Sequence, residues 1–81
     1  GPTRLNWLLV HRLERESQII SHLRGQPNTA PGLAEAIYTD IDPRLIHAAT
    51  RNVLAHLIDL CERNLVACQG PINLQAKYSV I

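Results

Sequence analysis

The feature that most constrains this chain is a change of period at Asn64. Before it, Ile46, Ala49, Val53, Leu57 and Leu60 recur at helical steps, which predicts a long helix from Pro43 to about Arg63. Asn64 is a residue type that takes the left-handed conformation in which helices end. Beyond it the pattern belongs to strands. Leu65-Val66-Ala67-Cys68 is a short apolar run, Gly70-Pro71 is turn chemistry, and Lys77 to Ile81 is β-prone, so the tail reads as an antiparallel hairpin.

Two further helices precede that boundary. From about Leu5 to Arg24, Leu5, Leu9, Arg12, Glu16, Ile20 and Leu23 follow three- and four-residue steps, and Gly25 is expected to supply a left-handed cap. Gln26-Pro27-Asn28 breaks the pattern. Thr29 then caps a short helix led by Pro31 and carrying Leu33, Ala34, Ile37 and Tyr38. Thr39 to Asp42 form a loop, and Asp42-Pro43 starts the long helix with a carboxylate for free N–H groups and a ring already held at helical φ. Three helices followed by a hairpin make an α+β, mostly helical fold, the winged helix. A brief strand around residues 28–30 is expected to complete its sheet. No repeat, low-complexity segment or interior linker interrupts residues 3–81, which read as one domain. Gly1-Pro2 reads as the remnant of a cleaved purification tag, and the domain as one excised from a larger protein.

Composition excludes several classes of function. With 81 residues there is room for one small core and none for a multi-layer enzyme. Eight Lys and Arg against seven Asp and Glu give a net charge of +1, far from the balance of a protein built for phosphate backbones. Two cysteines make no disulfide scaffold, and no apolar run approaches the roughly 20 residues of a membrane span. Leu5 to Val10 is too short for a secretory signal and runs straight into the charged segment from His11 to Glu16. The expected compartment is the reducing cytoplasm, with the mitochondrial matrix as the alternative.

His11-Arg12-Leu13-Glu14-Arg15-Glu16 with Gln18-Ile19 behind it, then Ala36-Ile37-Tyr38, then Ala48-Ala49 and Asn52-Val53-Leu54-Ala55-His56-Leu57 form an ordered set. In these residues the chain resembles the C-terminal winged-helix domain of metallo-β-lactamase-fold hydrolases, over roughly residues 5–66. The resemblance implies a larger upstream domain that binds one or two zinc ions through a histidine- and aspartate-rich motif and hydrolyses its substrate there. It also implies that the winged helix packs beside that site. This chain has no H-x-H-x-D-H run, so it is similar to the appendage and lacks the catalytic part. Zinc is accordingly expected in the parent's catalytic domain and no cofactor in this chain. Relatives include thioester and lactone hydrolases and single-strand-specific endoribonucleases, and the appendage does not choose among them. Asn64 stands where many relatives have glycine, a mild change.

The helix surfaces point to a missing neighbour independently. Trp7 and Val10 project away from the stripe of the first helix, leaving it apolar on nearly all sides. The alternative is that residues 5–10 fold back on the domain as an entry strand. Helix three presents Arg44, Ala48, Arg51 and Ala55 outward with Ile58 at the margin, small side chains that let another surface approach, although alanine is also simply the best helix former. Trp7, Val10, His11, Arg12, Arg44, Ala48, Arg51 and Ala55 are therefore the expected contacts to a hydrolase domain in the same polypeptide.

Two other readings remain open at this stage. In a nucleic-acid-binding winged helix, Arg44, His47, Arg51 and the wing residue Lys77 would touch the backbone, single-stranded RNA being favoured over sequence-specific DNA; but helix three has Arg44, Arg51 and Arg63 against Asp59 and Glu62 and is a poor phosphate magnet. The other is a protein-interaction winged helix of an unrelated assembly. Arg12 with Glu16, and Asp59 with Arg63, are spaced as ordinary i,i+4 pairs of about 0.2–0.5 kcal/mol each. His11, His22, His47, His56, Cys61 and Cys68 have no zinc-ligand spacing, and the cysteines read as small buried hydrophobes. Ser17, Ser21 and Ser79 lack any recognisable base and oxyanion hole, so no catalytic residue is assigned.

Overall fold

The computed structural model describes residues 2–81, with side-chain surroundings described from Val10 onward. The first helix, α1, runs from Pro2 to Gly25. What stops it is Pro27, which has no N–H and forces the residue before it out of helical backbone. The expected left-handed cap at Gly25 does not form, since Gly70 is the one described glycine with positive φ. The stripe that α1 buries is also turned from the expected one. Ile19 and Leu23 are buried, Ile20 is only partly so, and Arg12 is exposed.

Helix α2 spans Ala30–Ile37. Thr29, extended at φ −94 and ψ 165, accepts the Gly32 N–H on its side chain at 3.1 Å, satisfying one of the free donors of the first turn. The strand expected at residues 28–30 shrinks to Asn28, whose backbone exchanges two hydrogen bonds with Tyr78 (3.1 and 2.8 Å). Thr29 has turned aside to cap α2, and Pro31 has no N–H to offer a sheet.

Asp42-Pro43 does open the third helical segment, but as a 3-10 turn over Pro43–Leu45, with helix α3 following at Ile46–Glu62. The Asp42 carboxylate accepts the Arg44 N–H at 2.9 Å while the Asp42 carbonyl accepts that of Leu45 at 2.8 Å. That three-residue closure is the tighter spacing common at helix starts. At the other end Asn64 has φ 61, Asn64 N–H donates to Cys61 O and Leu65 N–H to Leu60 O, each at 3.0 Å. This is the Schellman arrangement, and it fixes where the hairpin begins.

Strands β1 (Val66–Gln69) and β2 (Lys77–Val80) pair antiparallel, with Val66 opposite Val80 and Cys68 opposite Tyr78. Three helices and a C-terminal two-stranded wing give the expected winged helix. Ile19 and Leu23 of α1, Leu33 and Ala34 of α2, Val53, Leu57 and Leu60 of α3, and Val66 and Tyr78 of the wing meet in one core. Tyr78 is its largest fully buried side chain, which ties the wing to the helices, since a fully buried large side chain contributes roughly 1.5–3 kcal/mol. Cys61 and Cys68 are free thiols, both partly buried. Among the described residues no helix is long and apolar enough to cross a membrane.

Candidate functional site

Between α1 and α3 the surface opens into a groove of about 400 Å³. Helix α1 contributes His11, Arg12 and Arg15, the end of α2 contributes Tyr38, and α3 contributes Asn52, Ala55 and His56. The spacings follow from helix geometry, since residues three and four apart share a face.

Tyr38 reaches the groove because α2 stops beneath it. It is the C-cap at φ −98 and ψ 67, with its N–H donating to Ala34 O at 2.8 Å. Its ring lies under the Arg15 guanidinium, 4.2 Å from the ring centroid, a cation–π geometry. Its hydroxyl donates to Asn52 Oδ1 at 3.2 Å. Arg15 in turn donates to Gln18 Oε1 at 2.7 Å. The Arg15–Tyr38–Asn52 chain thus links all three helices along one wall of the groove.

His56 lies deeper and is only 9% exposed. Burial pushes its pKa below the usual histidine range, and Arg12 and, more weakly, Arg15 push in the same direction against Glu16 and Asp59. The imidazole is therefore neutral at pH 7. Glu16 does not pair with Arg12 as its spacing predicts. It accepts from Arg63 at 2.8 Å, and the same Arg63 nitrogen reaches Asp59 at 2.9 Å, which is the expected i,i+4 pair. Glu16 lies within α1 and Arg63 at the C-cap of α3, so this contact has no signature in local spacing. Its consequence is that Arg12 has no carboxylate partner among the described residues.

Of the expected contact residues, His11, Arg12 and Ala55 meet in the groove. Ala48 and Arg51 are exposed on α3 and continue the Ala55 face toward its N-terminus. Arg44 lies on the preceding turn, bound to Asp42 at 2.8 Å. Val10 is half exposed and sits with Leu13 and Ser17 on another side of α1. Trp7 lies outside the residues whose side chains are described. Of the residues expected to touch nucleic acid, His47 and Lys77 are both exposed, but Lys77 stands on β2 opposite Gln69, with no hydrogen bond or ion pair to α3 among the described residues. Among those residues no three His, Cys, Asp or Glu side chains come together as a metal-binding group.

Reasoning from helix faces missed Arg15, Tyr38, Asn52 and His56. A signal was nonetheless present, because each of the three main segments that carry the family resemblance supplies part of the groove. The family model described as beta-lactamase associated winged helix domain matches residues 29–71, more than half of the chain, taking in α2, α3 and β1. No curated protein and no solved structure gives a match.

Proposed function

Because this chain belongs to the beta-lactamase associated winged helix family, we propose that it packs against a metallo-β-lactamase-fold hydrolase domain of the same polypeptide, shaping the rim of that active site and guiding substrate access. The observation that carries the reading is the exposed Ala48–Arg51–Ala55 face of α3, which runs without intramolecular cover into the α1–α3 groove. Small side chains there permit close approach, and the groove walls are already held by hydrogen bonds and stacking. In this reading zinc and the hydrolytic chemistry belong to the other domain, and the protein works in a reducing compartment, the cytoplasm or the mitochondrial matrix. The nucleic-acid reading has less support. Arg44 is bound to Asp42, and among the described residues the other cations do not line a continuous track.

An antibody raised against this chain tests the proposal on the native product in its source cells. A band of about 30 kDa or more, with zinc copurifying, is expected for an attached domain of ordinary size. A band at the 9.1 kDa of this chain overturns it.

A further inference from the structure

We propose that the α1–α3 groove is a socket for an acidic side chain: it receives a carboxylate from a protein segment packed on this face, gripped by the Arg12 guanidinium beside His11 and His56. That the segment belongs to the hydrolase domain rests on the reading above. The chemistry of the socket rests on the groove itself.

Charge comes first. Among the described residues two guanidiniums and two imidazoles line the groove, and no Asp or Glu does. The acids that act on His56 from the neighbouring helix turns, Glu16 and Asp59, are both engaged by Arg63. Glu14 stands 3.8 Å from His11 on the exposed side. An anion entering the groove thus meets Arg12 without a competing carboxylate among the described residues, and the planar guanidinium fork matches a carboxylate with two parallel hydrogen bonds.

Preorganisation comes second. Arg15 is fixed over Tyr38 and by Gln18, and Tyr38 is fixed by Asn52. Little side-chain freedom remains to be lost there when the socket fills, which is the usual penalty of binding. Ala55 leaves the α3 side open for the incoming segment.

Shape separates a protein carboxylate from a nucleic-acid strand. Single strands are held by cations along a track and by aromatic faces on which bases stack. Here the positive groups converge on one compact groove. Of the aromatic side chains among the described residues, Tyr78 is fully buried and Tyr38 is covered on one face by Arg15. A carboxylate in the groove would also oppose the arginines' effect on His56, so its imidazole should report occupancy by taking up a proton more readily.

The test is a titration of this chain at low salt with the peptide acetyl-Glu-Glu-Glu-amide, followed by NMR of the arginine Nε–H groups and the His56 ring. Saturable shifts at Arg12 and Arg15 with a Kd on the order of millimolar, and an upward move of the His56 titration, are the expected result. Arg12→Gln should weaken binding roughly tenfold or more, a loss of about 1.4 kcal/mol, while Lys77→Gln leaves it unchanged. The His56 titration with and without peptide needs no variant and so does not depend on any substituted chain folding. The proposal is overturned by shifts that do not saturate, by an Arg12→Gln variant that binds as the parent does, or by tighter binding of a uridine hexanucleotide under the same conditions. Because the experiment uses this chain alone, a small native product would refute the hydrolase reading and leave this result standing, whereas absence of peptide binding would refute the socket only.

Discussion

Gly32→Ala should change sign as a stability mutation depending on whether Asn28 is present. Gly32 is the third residue of α2, where alanine is better than glycine by about 0.5–1 kcal/mol through backbone entropy alone. A methyl group there would fall inside the Asn28 side chain, 2.9 Å from Cγ and closer still to Oδ1. That side chain is not free to step aside. Its Oδ1 accepts the Thr29 N–H at 2.8 Å, and the Asn28 backbone carries the bridge to Tyr78. Expelling it breaks a partly buried hydrogen bond of about 0.5–1.5 kcal/mol and disturbs the cap of α2. In the parent background the two terms therefore cancel or leave a loss of up to about 1 kcal/mol. In an Asn28→Ala background the obstacle is gone, and Gly32→Ala should stabilise by about 0.5–1 kcal/mol. For a domain of this size each kilocalorie shifts Tm by roughly 4–8 °C, so thermal melts of the four chains resolve the difference. Equal stabilisation by Gly32→Ala in both backgrounds would refute the steric account of this glycine.

Three further outcomes are expected. His56 binds its proton less readily in the fold than the reference value of 6.5, so the unfolded chain takes up the proton first: stability is full above pH 6.5 and falls as pH drops below it, and melts at pH 7.5 and 5 should show a smaller drop for His56→Leu than for the parent. Tyr78 is pushed up to about 12 by burial first and the Cys68 thiol second, so its contribution holds below pH 10 and is lost as pH rises toward 12; Tyr78→Phe should raise the midpoint of alkaline unfolding followed by circular dichroism. Asn64→Gly should leave stability equal or slightly higher, whereas Asn64→Val, forced to φ 61, should lose about 1–2 kcal/mol in urea unfolding.

The fold was legible because its boundaries are written in local chemistry. Thr29 and Pro31 start α2, Asp42-Pro43 starts the third helical segment, and Asn64 ends α3 by hydrogen bonds confined to neighbouring residues. Where several local signals compete, the sequence is a weaker guide. Gly25 is followed by a proline that ends α1 without needing a left-handed cap. Asn28 to Ala30 have both β-bridge and cap chemistry, and the cap takes all but Asn28. The rotation of the buried stripe of α1 onto Ile19 is set by what α2, α3 and the wing present to it, which spacing within one helix does not encode.

The groove was legible in a different way. The unpaired state of Arg12 in it depends on one long-range choice, the capture of Glu16 by Arg63 instead of Arg12 among the described residues. Helical spacing gives Glu16 a partner four residues away, worth only about 0.2–0.5 kcal/mol. Arg63 stands at the C-cap of α3, also holds Asp59, and sits against a Glu16 side chain that is only 17% exposed. Partial burial and a shared cation make the distant partner the better one. Arg12 is left by that choice beside His56, where no acid among the described residues lines the groove. The same contact that ties α1 to the end of α3 therefore leaves one positive charge without a carboxylate partner among the described residues, at the place where the three segments of the family resemblance converge.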